Sequence, residues 1–192
     1  TAPVPVGPVD ILGVDHVLNY EERAGQRSVR HLVDDAIRPN IAKWYEEGAF
    51  PAAEMALKFG KLGLLGMHLE GYGCAGMSAV DYGLACMELE AGDSGARSFV
   101  SVQGSLAMFA IHRWGSEAQK QQWLPRMAAG EVIGCFGLTE PDFGSDPAGM
   151  RTRARRDGAG DNADWVLDGT KMWITNGSVA DVAVVWARTD AG

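Results

Sequence analysis

The stretch Phe136-Gly137-Leu138-Thr139-Glu140-Pro141-Asp142-Phe143-Gly144-Ser145-Asp146 decides how the chain is organised. It leaves a short apolar run, Ile133 to Leu138, passes a hydroxyl, a carboxylate and a proline, and turns at a glycine followed by a second hydroxyl. Pro141 fixes φ and removes one backbone donor, while Gly144 permits positive φ or the close approach of a ligand to the main chain. Thr139 and Ser145 set hydroxyls beside N–H groups. These residues describe a rigid, donor-rich, ligand-facing loop at the exit of a strand. An ordinary strand-to-turn exit held by Ser and Asp side chains uses the same residue types.

On the N-terminal side of this stretch the hydrophobic period is helical. Val29, Leu32, Val33, Ala36 and Ile37 recur at helical spacing from a pattern that begins near Val17, and Pro39 limits that helix. A second helix is predicted from Pro51 to Phe59, with Gly60 placed to stop it. Ser78 to Asp81 reads as a capping box for a helix through Leu84 and Leu89 to Ala91. The next helix carries Phe99, Val102, Leu106, Phe109 and Ala110 on one stripe, with Val100, Ala107, Met108 and Ile111 on its other sides. It is predicted to be buried nearly all round, as the centre of a bundle. Ser116 to Gln119 caps one more helix, interrupted near Pro125 and ended at Gly130. Gly71, Gly73 and Gly76 match a dinucleotide-binding fingerprint in spacing, but no strand precedes them and no parallel-sheet pattern follows.

Beyond Gly130 the period changes to two. Ile133 to Leu138 and Val182 to Ala187 read as apolar strands, and Trp165-Val166-Leu167, Asp168-Gly169 and Thr170 to Thr175 as a hairpin. Arg151, Arg153 and Arg155 alternate onto one solvated face of a strand. The chain is therefore α+β and multidomain: an extended arm over 1–14, an all-α helical bundle over 15–132, and β structure over 133–192.

Composition narrows the function classes. The chain has 192 residues, enough to bury a sizeable core, and its 46% hydrophobic content is ordinary for a soluble protein. No run of eighteen apolar residues is present to span a membrane. The formal net charge of −8 opposes a nucleic-acid footprint. Cys74, Cys86 and Cys135 form no CxxC or Cys/His cluster, and His16, His31, His68 and His112 lack ligand spacing, so neither a disulfide scaffold nor a metal site is expected.

The loop does not stand alone. Later in the chain comes Lys171-Met172-Trp173-Ile174-Thr175-Asn176-Gly177, an apolar and aromatic segment ending in an Asn-Gly turn. A loop of the form LTEPxxGSD followed by GTKxWITNG resembles the flavin-binding signature of the acyl-CoA dehydrogenase family, and the resemblance runs from about residue 15 to the end. It implies an N-terminal all-α helical domain, a middle antiparallel β-barrel domain of which 133–192 is the start, a later helical domain, and FAD as cofactor. Oxidising an acyl thioester between Cα and Cβ needs a carboxylate to take the α proton and an acceptor for the β hydride, which no side chain supplies. The resemblance places Phe136, Leu138, Thr139, Gly144 and Ser145 against the flavin and its pyrophosphate. Trp173, Ile174 and Thr175 form the second flavin segment, and Ser145 also touches the coenzyme A part of the substrate. Glu140 is the obvious carboxylate to weigh as base, but its place in LTEP matches a structural position. The family's catalytic glutamate lies on the later helical domain, so no residue here is assigned that role.

A further stretch bears on the substrate. Asp93-Ser94-Gly95-Ala96-Arg97-Ser98, followed by Ser101-Val102-Gln103-Gly104-Ser105-Leu106, resembles the glutaryl-CoA dehydrogenase branch. That likeness puts Arg97 opposite the distal carboxylate of the acyl group and makes Arg97 and Ser98 the substrate segment. A planar, permanently charged guanidinium suits a carboxylate inside an apolar pocket. The plainer alternative has Arg97 capping its turn or pairing with Asp93 at the surface. The family also implies an acyl-CoA substrate, an electron-transferring flavoprotein as partner, a homotetramer, and a bacterial cytoplasmic or mitochondrial-matrix location. An acyl-CoA oxidase or flavin monooxygenase on the same scaffold, and a non-catalytic interaction module, are the other readings. The strands that close the β domain are expected beyond residue 192, because an unpaired edge there leaves its core incomplete.

Overall fold

The computed structural model describes Gly13, residues 16–158 and residues 163–189. The expected N-terminal arm lies almost wholly outside them. The chain forms two compact units that interleave in sequence: Thr1–Phe50 with Gly76–Arg97, and Pro51–Ala75 with Ser98–Gly192.

In the first unit, α1 (Tyr20–Leu32) starts at Asn19, whose side chain accepts from the Glu22 amide while the Glu22 carboxylate accepts from the Asn19 amide. This reciprocal cap was not among the sequence expectations. The helix passes into a π-helical segment, Val33–Ile37, ahead of Pro39. A short α2 (Ile41–Glu47) ends at Gly48 in the left-handed region, and α4 (Ala79–Gly92) begins at the predicted Ser78/Asp81 capping box. Helices α1 and α4 meet through apolar side chains and through one buried carboxylate. Glu88 accepts from Gln26 Nε2 at 2.8 Å and from Arg30 Nε at 2.8 Å, so its burial is offset by a charged fork. Gly92 lets α4 close on the π-helical segment, since a Cβ there would stand 2.5 Å from Val33 Cγ1.

In the second unit, α3 (Ala52–Lys61) buries Met55, Ala56 and Phe59. Gly60 does not stop it. The helix runs through Gly60 because another backbone needs the space: a Cβ there would lie 2.3 Å from the Ala129 carbonyl oxygen. The central helix, in this unit from Ser98 onward, starts as α5 (Ser94–Ser101), becomes π-helical over Val102–Met108 and continues as α6 (Phe109–Trp114). It is buried on most sides rather than all round, with Leu106 and Phe109 39% and 40% exposed. Helix α7 (Glu117–Ala128) opens at the predicted Ser116/Gln119 capping box and passes through Pro125 without a break before ending at Gly130.

The β structure is a two-stranded sheet of β1 (Gly134–Gly137) with β4 (Val182–Val185), and a three-stranded sheet in the order β3 (Asp164–Asp168), β2 (Arg153–Asp157), β5 (Arg188–Thr189). A helical part followed by the beginning of a β domain is the architecture the sequence implies. The pairing is mixed. Strands β2 and β3 are antiparallel, with Arg153 opposite Asp168, whereas β1 pairs with β4 and β2 with β5 in parallel. The long excursion between β1 and β4 lets the later strand return in the same direction, which a tight hairpin cannot do. The hairpin predicted around Asp168-Gly169 is corrected: β3 pairs backward with β2, and residues 170–175 form no strand. Gly169, at φ 156°, lies against Thr152, and the chain then turns to the 136–146 loop.

One buried side chain joins the central helix to the sheet. Gln103 is fully buried in the π-helical segment, donates to the Val132 carbonyl at 2.8 Å and the Met127 carbonyl at 3.2 Å, and accepts from the Gly134 amide at 2.7 Å. Gly134 is required beside it, because a Cβ would stand 2.6 Å from Met127 Cε and 2.8 Å from Ala107 Cβ.

Candidate functional site

Strand β1 ends at Gly137 and delivers Leu138, Thr139 and Glu140 into the loop. Glu140 is 4% exposed, and its backbone exchanges two hydrogen bonds with Phe143, closing a tight loop over Pro141 and Asp142. Beyond the tip, Phe143 packs on Gly149, while the Arg151 guanidinium lies 5.3 Å from the Phe143 ring and 3.1 Å from Asp142. The Glu140 carboxylate fastens the far end by accepting from the Arg151 amide at 2.6 Å and the Thr152 amide at 2.9 Å. The loop is thereby tied across its mouth by side chain and main chain together.

The second motif is bound to the first. The Met172 amide donates to the Thr139 carbonyl at 2.9 Å, and Lys171 Nζ donates to the Leu138 carbonyl at 3.0 Å and to Glu140 Oε1 at 2.8 Å. Burial alone pushes the Glu140 carboxyl up, but the Lys171 ammonium and the donors of Thr152 and Arg151 outweigh it and lower the group to about 2. A carboxylate so held accepts hydrogen bonds and takes no proton near neutrality. Its bonds to Arg151, Thr152 and Lys171 tie the loop to its neighbours.

After Met172 the backbone enters an unusual conformation. Trp173 has φ 60° and an indole 84% exposed, and Asn176 follows at φ 66° with its side-chain amide donating to the Gly134 carbonyl at 3.2 Å. A large aromatic residue in the left-handed region is strained, and such conformations persist where the surroundings over-determine them and cluster at functional sites. Here the bonds of Lys171, Met172 and Asn176 impose it. Gly144 and Ser145 are exposed, and a Cβ built at Gly144 would meet nothing within 4 Å, so this glycine leaves open space. Thr175 is exposed and Ile174 half-buried. Phe136 faces Trp186 edge-on at 5.9 Å, and the Trp186 amide holds the Gly137 carbonyl at 3.0 Å. The second segment thus runs beside β1, from Thr139 at the strand's exit, where the Met172 amide is bound, back to Gly134 at its start, where Asn176 is bound. Leu138 and Thr139 give their carbonyls to Lys171 and Met172.

Arg97 and Ser98 sit on α5, and Arg97 belongs to the first unit. Its guanidinium Nε donates to Glu90 Oε2 at 2.6 Å, and the Ser94 hydroxyl donates to Glu90 Oε1 at 2.7 Å. The Arg97 guanidinium and the Ser94 hydroxyl hold Glu90 below the usual carboxylate range. Asp93 does not pair with the Arg97 side chain; its carboxylate accepts from the Ala96 amide at 2.8 Å and caps α5. The Glu90 partnership was not anticipated, although two residues seven apart across a helix junction could have suggested it. Nothing local in the sequence connects Lys171 to Glu140, 31 residues away.

An apolar cavity of about 530 Å³ opens between α6, α7 and β4, lined by Ile111, Trp114, Trp123, Val182, Val184 and Trp186. None of the predicted site residues lines it. Burial pushes the Cys135 thiol up, which keeps it protonated. Among the described residues there is no group of three or more metal-capable side chains, and no helix is long and apolar enough to cross a membrane.

A helical part, a β part and a paired loop set with an exposed, strained indole together define a family. The chain belongs to the acyl-CoA dehydrogenase family: the N-terminal domain model matches residues 19–131 and the middle domain model residues 135–192. Within it, the chain is similar to a glutaryl-CoA dehydrogenase from Mycobacterium smegmatis, at 69% identity and a TM-score of 0.91 over 97% of this chain and 47% of that one. A structure of a glutaryl-CoA dehydrogenase from the same organism in complex with FADH2 matches at 64% identity and a TM-score of 0.92, covering 98% of this chain and 47% of that one. The human mitochondrial short-chain specific acyl-CoA dehydrogenase is 40% identical over 85% of this chain and 39% of its own length. The chain therefore spans less than half the length of these relatives.

Proposed function

We propose that this chain is the N-terminal helical domain, 15–132, and the first part of the middle β domain, 133–192, of an FAD-dependent acyl-CoA dehydrogenase. Its substrate is glutaryl-CoA or a similar short-chain acyl-CoA, and its electrons pass to an electron-transferring flavoprotein. The assembly is a homotetramer, in a bacterial cytoplasm or a mitochondrial matrix. The observation that carries the reading is the joining of the two loop motifs through Met172 and Lys171, which presents Trp173 as an exposed, rigid indole. The fit to FAD is chemical: a flat aromatic face at Trp173, hydroxyls at Thr139, Ser145 and Thr175, and open space over Gly144.

When bound, FAD accepts the hydride from the β carbon of the thioester. Phe136, Trp173, Ile174 and Thr175 would hold the ring system, Leu138 and Thr139 would offer it backbone and hydroxyl hydrogen bonds, and Gly144 and Ser145 would hold the pyrophosphate. Ser145 also contacts the coenzyme A chain. Arg97 and Ser98 bind the distal acyl carboxylate, which must share or replace Glu90 on the guanidinium. The α-proton base is supplied from outside these residues.

The test is a visible spectrum of the full-length protein, then anaerobic titration with glutaryl-CoA and butyryl-CoA. Bleaching by glutaryl-CoA that is lost on Arg97→Ala, while butyryl-CoA still bleaches, is the expected result. A colourless protein that takes up no FAD sinks the enzyme reading and leaves an interaction module. Rapid reoxidation of the reduced protein by air points instead to an oxidase or monooxygenase.

A further inference from the structure

We propose that Lys171 is a positioning residue: its ammonium locks the two flavin-facing segments into a single preformed platform, an assignment that rests on the flavin reading above. Lys171 has a side chain only 13% exposed and spends donors on two acceptors of the first motif, the Leu138 carbonyl at 3.0 Å and Glu140 Oε1 at 2.8 Å. One residue on, the Met172 amide takes the Thr139 carbonyl, and one further, Trp173 is forced to φ 60°. Two consecutive residues of the second motif, Lys171 and Met172, are thus registered against three consecutive residues of the first, Leu138, Thr139 and Glu140. The buried pair itself does not explain its own presence through stability, because apolar side chains of similar volume usually replace such a pair without loss. What an apolar pair cannot do is fix the Leu138 carbonyl and the loop carboxylate at the same point. A guanidinium is also unsuited, since its planar fork is longer and its donors diverge where the ammonium is compact.

Two variants of the full-length protein separate this role from a structural one: Lys171→Met, and the double variant Lys171→Met with Glu140→Gln. Each is stripped of flavin and titrated with FAD by flavin fluorescence, and its thermal midpoint is recorded. Lys171→Met is expected to bind FAD at least tenfold more weakly and to melt lower, because it leaves the Glu140 charge uncompensated. The double variant removes that charge, so its melting point returns toward wild type while FAD binding stays at least tenfold weak. Recovery of affinity together with melting point overturns the assignment and leaves a merely structural pair, as does affinity within twofold of wild type in Lys171→Met. If Lys171→Met does not fold, the double variant decides alone. Wild-type protein that takes up no FAD overturns the flavin reading itself, an outcome distinct from failure of the clamp.

Discussion

Replacing Gln103 by Leu tests whether one buried amide holds the central helix to the first strand. Leu has similar volume and full apolar character, so the cavity cost is small, and the effect isolates hydrogen bonding. Gln103 serves the Val132 carbonyl, the Met127 carbonyl and the Gly134 amide. The Met127 carbonyl keeps a second donor in the Gly130 amide at 3.2 Å, so the substitution orphans two buried groups rather than three. At about 1–3 kcal/mol for each unsatisfied group, the expected loss is about 2–6 kcal/mol, reduced somewhat by the apolar gain of Leu. Hydrogen-exchange mass spectrometry on the purified protein checks it locally. A loss of 2 kcal/mol in the unit speeds exchange of the segment around Gly134 by roughly thirtyfold, and the thermal midpoint falls by at least about 4 °C. Unchanged exchange around Gly134 with a destabilisation below about 1 kcal/mol refutes the reasoning, because the two orphans would then have found other partners.

Gly60→Ala reverses the usual rule: Ala in a helix interior normally gains about 1 kcal/mol over Gly, but here its Cβ strikes the Ala129 carbonyl, so the thermal midpoint should fall. Trp173→Gly relieves a left-handed backbone while removing an indole that buries little, so stability should hold or rise by about 1 kcal/mol as FAD retention falls, read by melting and by flavin content. Because the Glu140 carboxyl is lowered to about 2 in the folded protein, its stabilising contribution is fully present above the ordinary carboxylate value and is lost as pH drops through 2. The stability difference between wild type and Glu140→Gln should therefore shrink steadily as pH falls from about 4.5 toward 2, measured by urea unfolding at each pH.

Features that a few neighbouring residues determine were legible in the chain itself. Ser78 with Asp81 and Ser116 with Gln119 announce their helices because a cap is satisfied within three residues. The loop from Phe136 and the segment from Lys171 were legible as motifs for the same reason, and the structure joins them. What stayed hidden was decided by distant groups. The Asp168-Gly169 turn signal is real locally, yet β3 already has β2 as partner, and the following residues are drawn off by the Thr139 and Leu138 carbonyls. Glu140 with Lys171, and Gln26 and Arg30 with Glu88, leave no periodic mark, because a buried polar pair needs only complementary partners at any separation. Glycine shows the limit most sharply. Gly130 and Gly60 look alike in sequence as helix stops, and both lie against a facing backbone, but only Gly130 has a positive φ. The first ends its helix by conformation, and the second lets its helix continue by being small. Sequence marks both positions as special, and only the opposing chain decides which property of glycine is being used.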